Sequence, residues 1–260
     1  MLEVTPVPAL TRAIAILNFI AQHGPCSAAE IIEALALPKS SAYLLFAELK
    51  KQRLITVDRN DHYCLWTRLV EFAGHALEHM DIRDIARPRL TRLMQETNLL
   101  CHLGIIDSGH ACYILKLESA ATISVRSHEG KSLSLYRSGI GKCLLAWQPA
   151  EEQARIIESL RFVAVTPTSL RSADALYTEL ARIRRQGWSF DNGEDFPDVR
   201  CVAAPIFDAR QQLVAAISLV GTRLEIDDDK RDYLAGLAIA CARDISRLLG
   251  WRSPAEKHAS

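Results

Sequence analysis

The feature that most constrains this chain lies near its start. Apolar residues recur there at helical spacing, with two short interruptions, and then give way to two short alternating segments. Over residues 9–24, ALTRAIAILNFIAQHG, residues Leu10, Ala13, Ile14, Leu17 and Ile20 fall on one side of a helix that Gly24 ends. Ser27 opens a second helix. Ser27 and Glu30 have the spacing of a capping box, in which each side chain satisfies a free backbone donor, and Ile31, Ile32 and Leu35 form the apolar side. The turn ALP follows, and Pro38 is tolerated near a helix start because its missing N–H has no intrahelical partner there. A third helix is expected from Lys39 to Gln52, with Ala42, Leu45, Phe46 and Leu49 toward a core. Ser40, Tyr43, Leu44, Ala47 and Lys51 fall on its opposite side. The segment LITVDRNDHYCLW reads as two strands, about 54–57 and 62–66, joined by the polar turn DRND. Three helices followed by a hairpin make a winged helix-turn-helix.

In that motif the second helix of the pair enters the DNA major groove, led by its N-terminal residues. Here those are Lys39, Ser40, Ser41, Tyr43 and Leu44, of which the lysine and the hydroxyls can reach phosphates or base edges. Lys50, Lys51 and Arg53 at the helix end, and Arg59 at the wing tip, are placed to meet the backbone, and Ser27 completes the set of DNA-contact candidates. Residues 38–59 hold five basic side chains against two acidic ones, although the whole chain has a formal charge of zero. Neutrality counts against nucleic-acid binding only weakly when two domains are averaged. The competing reading is a protein-binding winged helix whose lysine-rich end complements the helix dipole. The short turn, the capped preceding helix and the wing together favour DNA.

A chain of 260 residues, about half of them apolar, suffices for two domains with real cores. No apolar run reaches the roughly 18 residues of a membrane span. The start, MLEVTPVPALTRAI, lacks the basic region and apolar core of a secretion signal, so a cytoplasmic location is expected. The seven cysteines are scattered without a Cys-x-x-Cys pair, which suits buried thiols better than a disulfide frame or a zinc site.

Beyond the hairpin, residues 67–80 form another amphipathic helix, with Leu69, Phe72, Ala73, Ala76 and Met80 aligned. The segment DIRDIARPRLTRLMQETN continues in helical register, with a break or kink expected at Pro88. From Asn98 the segments CHLGIID, ACYILKLES, TISVRS and SLSLY read as antiparallel strands. Helices are expected at about 139–147, 149–160 and 172–186, then strands VRCVAAPIFD and LVAAISLVGT, then a helix over 228–249. Strands with hairpin connections flanked by helices indicate an α+β domain.

Within it, YRSGIGKCLLAW invites a phosphate-loop reading that fails, because Tyr136 and Cys143 stand where glycine and Ser/Thr are required. What remains is a glycine-bearing loop entering a helix. It either offers free N–H groups to an anion or packs where only glycine fits, and the residues alone leave both open. Cys201 lies in an apolar strand and reads as a buried small residue. A cysteine nucleophile would need a histidine base. His102 and His110 lie in or near early strands, but nothing in their spacing recommends them, so no catalytic residue is expected.

From about Ala9 to Gly250 the chain resembles the IclR family of transcriptional regulators. The resemblance rests on ALTRAIAIL, LPKSSAYLL, IGKCLLAW, the segment from Asp191 through VRCVAAPIFD, and AAISL, in that order. It implies an N-terminal all-α winged helix-turn-helix plus a C-terminal α+β GAF-like ligand-binding domain. The expected division is a DNA-binding domain over 1–66, a linker helix over 67–80 that helps dimerise, an effector-binding and oligomerisation domain over 81–252, and a disordered tail over 253–260. The implied partners are double-stranded DNA with a roughly palindromic operator, a small-molecule effector, and further copies of the chain as a homodimer or homotetramer. No membrane, metal or cofactor is implied. The effector is expected to be a carboxylate metabolite, and the regulated genes a catabolic operon. Matching the family residue by residue places Gly139, Ile140, Gly141, Lys142, Asp191, Cys201 and Ser218 at the ligand. The chain departs from the pattern at Leu44, where arginine is common, and at Arg53, where glycine is. Val220 replaces a second serine, and Asp198 stands where glycine is usual. The alternatives to a regulator are a winged-helix protein-interaction module with a sensing domain, and an enzyme using a cysteine nucleophile.

Overall fold

The structure, a computed structural model, describes residues 6–78, 80–118 and 127–253. The expected strand TISVRS and the tail 253–260 lie outside the described residues, apart from Ser127 and Ser253. The chain divides between Met80 and Asp81 into two compact units.

The first unit runs α1 (Pro8–His23), α2 (Ala28–Ala34), α3 (Lys39–Lys51), β1 (Ile55–Val57), β2 (Tyr63–Leu65) and α4 (Thr67–Glu78). Proline at its first turn starts α1, and Gly24 with φ 80° stops it. The capping box of α2 is closed from both sides: the Ser27 N–H donates to the Glu30 carboxylate at 2.7 Å, and the Glu30 N–H donates to Ser27 Oγ at 3.3 Å. The helices bury Ile16, Ile20, Ile31, Ala42, Phe46 and Leu49 around Ile55 of the hairpin. Leu10 and Ile14 extend the apolar side of α1 but remain exposed, because the small core reaches only the Ile16 and Ile20 side of that helix. Paired backbone bonds between Cys26 and Tyr63 fasten the hairpin to the α1–α2 turn, and the Tyr63 ring stacks on Phe46 at 4.5 Å.

The second unit begins with α5 (Ile82–Thr97) and contains β3 (Leu100–Asp107), β4 (His110–Leu117), β5 (Ser132–Leu133), α6 (Gly139–Ala146), α7 (Ala150–Ser159) and α8 (Ala173–Gln186). It ends with β6 (Ser189–Asn192), β7 (Val199–Phe207), β8 (Leu213–Thr222) and α9 (Asp228–Leu248). The helical register does not break at Pro88, which sits inside α5. It breaks at Asp81, whose extended backbone and side chain, accepting from the Arg83 N–H at 2.8 Å, start a new helix. Proline at position 88 removes one donor and crowds the carbonyl of the preceding turn without ending α5, whereas a capped start ends continuity outright.

The strands form one antiparallel sheet in the order β5-β4-β3-β8-β7-β6. Helices α5 and α9 pack on one face through Leu90, Leu93, Leu234 and Ile245. Helices α6, α7 and α8 pack on the other through Leu144, Ile157, Leu176 and Ile183. The edge strand β6, SFDN, is not expected from its composition. It pairs Asp191 with Cys201, and so brings an acidic residue into the sheet. Only Ser132 and Leu133 of SLSLY form a strand, because the chain turns there toward α6.

Candidate functional site

The α2–α3 turn sets α3 against the core through Ala42, Phe46 and Leu49. Lys39, Ser40, Tyr43 and Leu44 are exposed, and Ser41 is half-buried. The Tyr43 ring meets Phe46 edge-on at 5.9 Å, which braces it while leaving it 48% exposed. Lys50, Lys51 and Arg59 are also exposed, and Lys51 lies 3.7 Å from Glu48. Two candidates are occupied within the unit. The Ser27 hydroxyl donates to Glu30 at 2.8 Å inside the capping box. Arg53 takes the left-handed turn, φ 59°, and its guanidinium donates to Thr67 Oγ1 at 3.1 Å and to Glu71 at 2.6 Å.

In the second unit, Ser138 caps α6. Its hydroxyl accepts from the Gly141 N–H at 3.1 Å and donates to the Ser134 carbonyl at 2.7 Å. The helix start opens on a cavity of about 50 Å³ whose walls include Tyr113, Lys131, Ser138, Gly139, Asp191 and Cys201. Ile140 also lines it; Gly141, Lys142 and Ser218 do not. A Cβ on Gly139 would stand 2.8 Å from the Cys201 sulfur, so the helix start approaches β7 as closely as glycine permits. A Cβ on Gly141 would collide with the Ser134 carbonyl and with Leu135 Cα, which makes that glycine a packing residue. Both glycines therefore fit the packing reading, and Gly139 in addition lines the cavity.

Lys142 is wholly buried behind the cavity. Its ammonium donates to the Phe190 carbonyl at 2.7 Å, to Glu179 at 3.3 Å and to Glu194 at shorter range. The Glu194 N–H in turn donates to Asp191 at 2.8 Å. Burial, and next the Glu194 charge, push the Asp191 carboxyl up to about 7. The Cys143 and Cys201 thiols are pushed well above their ordinary value by burial. Ser218 lies across the β3–β8 ladder from His102. The His102 ring stacks on Tyr113 with centroids 3.8 Å apart, and its Nε2 lies 2.9 Å from Ser127 Oγ. Burial, with Lys116 and Lys131 nearby, lowers its pKa to about 3, so the ring is neutral.

Sequence reasoning missed Tyr113, Lys131, Ser138 and Glu194. Ser138 carried a signal, a serine directly before a glycine-led helix; the others depend on tertiary pairing. Among the described residues, no group of three or more His, Cys, Asp or Glu side chains could hold a metal, and no helix is long and apolar enough to cross a membrane.

Residues 9–59 match the IclR helix-turn-helix domain, and residues 74–247 match the C-terminal domain of bacterial IclR transcriptional regulators. The chain is 68% identical, over the full length of both proteins, to an uncharacterised HTH-type transcriptional regulator, RhmR, of Escherichia coli K12. It is 32% identical to the HTH-type transcriptional regulator XynR of the same organism, over 94% of this chain and 98% of that one. The crystal structure of the Agobacterium tumefaciens repressor BlcR superposes with a TM-score of 0.81 at 28% identity, covering 95% of this chain and 99% of that one. With a helix-turn-helix in one unit and a small partly open cavity in the other, the chain belongs to the IclR family of transcriptional regulators.

Proposed function

We propose that the protein is a metabolite sensor that sets two copies of α3 in successive major grooves of a palindromic operator, and that its effector is a small carboxylate. A dimer or tetramer would space its recognition helices about 34–36 Å apart, one DNA turn. The regulated genes are expected to form a catabolic operon, and the protein is expected to act in the cytoplasm, as a regulator and not as an enzyme. The observation that carries the effector class is the cavity itself, where the capped start of α6 and Lys131 face the same small space. Of its acidic walls, Asp195 is paired with Arg137 at 2.8 Å, and burial raises the pKa of Asp191. Backbone N–H groups and the positive end of the helix dipole favour an anion there. The neutral His102 and the protonated thiols of Cys143 and Cys201 support binding without turnover.

The test is a panel of small carboxylates added to the full chain, read by thermal shift and by affinity for a duplex selected from random sequence. One member should stabilise the protein, change duplex affinity and come off chemically unchanged. A tenfold change in affinity requires the effector to distinguish the two states by about 1.4 kcal/mol. Conversion of the bound molecule would overturn the sensor reading.

A further inference from the structure

Helix α3 turns about 100° per residue, so a residue's position relative to the buried Ala42, Phe46 and Leu49 fixes where it points. Leu44 lies almost opposite that buried face and is 73% exposed. Its outward neighbours one turn away are Ser40, Ala47 and Glu48. Of these, Glu48 is occupied: its carboxylate accepts from the Gln52 amide at 2.7 Å and lies 3.7 Å from Lys51. The middle of the outward face therefore presents an isobutyl group and a methyl group, flanked on one side by the exposed Glu48 carboxylate that Gln52 and Lys51 engage. Exposed cations stand at both ends, Lys39 at the start and Lys50 and Lys51 at the finish. Cations at both ends suit a polyanion, and they locate the apolar centre over base edges rather than over phosphates.

In the major groove the one apolar feature of a base pair is the thymine C5-methyl. Guanine and adenine are read by side-chain donors, which Leu44 and Ala47 lack. A cytosine amino group under Leu44 would lose water without gaining a partner. We propose that Leu44, with Ala47 beside it, reads a thymine methyl in each half-site of the operator. This rests on the assignment of α3 as the groove helix. The Tyr43 ring, one residue before Leu44, is braced edge-on against Phe46.

The experiment uses the full chain. Duplexes are selected from random sequence, and each thymine of the selected site is then replaced in turn by deoxyuridine, which removes only the methyl. At one position per half-site the wild-type protein should lose affinity about fourfold, equivalent to ~0.8 kcal/mol for one buried carbon. Leu44→Ala should bind the thymine and deoxyuridine duplexes alike while melting as the wild type does, since Leu44 supports no core. A flat deoxyuridine scan, or a loss that persists unchanged in Leu44→Ala, overturns the inference while leaving DNA binding intact. Failure of the underlying assignment looks different: no duplex is enriched, and no salt-dependent binding is seen.

Discussion

Arg53 reaches Glu71 across 2.6 Å from a left-handed backbone position, and so ties the end of the recognition helix to the first turns of α4. The Arg53 carbonyl also accepts from the Arg68 N–H at 3.1 Å. The chain thus combines a turn that favours glycine with a side chain that glycine could not supply. Replacing Arg53 with Gly relieves ~1 kcal/mol of left-handed strain while removing the guanidinium; replacing it with Ala removes the guanidinium and keeps the strain. Urea denaturation should therefore find Arg53→Gly more stable than Arg53→Ala by about 1 kcal/mol. Equal stabilities would mean that the turn is not held left-handed in solution.

The same ion pair separates Arg53 from the cations that remain free to meet phosphate. Each lysine or arginine that neutralises a phosphate adds nearly one to the slope of log affinity against log salt. Lys39→Ala should weaken duplex binding and lower that slope by about one, whereas Arg53→Ala should leave the slope unchanged. Binding followed across a salt series by fluorescence anisotropy decides the matter. A fall in slope for Arg53→Ala would show that it leaves Glu71 to reach the DNA.

Lys142 gives a prediction about stability. Its ammonium is buried among Glu179, Glu194 and the Phe190 carbonyl. Removing one member of such a group strands the opposite charge, at a cost of about 3–5 kcal/mol. Lys142→Met should destabilise the second unit by that amount in urea. Adding Glu194→Gln should recover part of the loss, because the stranded carboxylate goes with it. If the double variant is less stable than the single one, the pairing does not carry the stability.

These cases mark what could be read without a structure. Periodicity located the helices to within a few residues, because most bury one stripe and have a cap or stop that is local in sequence, such as Ser27 with Glu30 or Gly187 after α8. The exceptions are α6, buried on every side, and α4, whose Val70 and Phe72 stay exposed. The edge strand β6 was missed because Ser189 and Asn192 carry no alternating apolar signal; the strand exists because β7 pairs with it. The family resemblance put Lys142 and Asp191 together at a ligand, whereas the structure sets Asp191 on the cavity wall and Lys142 outside its lining, in a buried ion cluster. The cluster around Lys142 depends on Glu179 and Glu194, which approach from a helix and a loop 37 and 52 residues further along the chain.

Asp191 makes stability depend on pH. Its folded pKa, about 7, lies above the ordinary 3.8, so the folded state holds a proton that the unfolded chain releases. That contribution to stability is fully present below about pH 4 and is lost as pH rises through 7. Asp191→Asn keeps an acceptor for the Glu194 N–H and does not titrate. Between pH 5 and pH 8 the wild type should lose on the order of 2 kcal/mol more stability than the variant. Denaturation at the two pH values measures this, and parallel behaviour would place the Asp191 carboxyl in water.

The two glycines of α6 yield the sharpest contrast, because they sit two residues apart in one helical turn. At Gly141 a Cβ meets the Ser134 carbonyl and Leu135 Cα, both backbone atoms that cannot move without shifting the loop that leads into the helix. At Gly139 the nearest atom is the Cys201 sulfur at 2.8 Å, which together with Cys201 Cβ forms part of the cavity wall. Gly141→Ala should therefore lower the melting temperature of the protein and fail broadly. Gly139→Ala should keep a cooperative transition but push the helix start away from β7, and so reshape the cavity. In Gly139→Ala, operator affinity without effector should survive while the effector response falls at least tenfold. The double change Gly139→Ala with Cys201→Ala, which vacates the position of the sulfur, should restore part of that response. If Gly139→Ala responds to effector as the wild type does, the α6 start is not where the ligand binds.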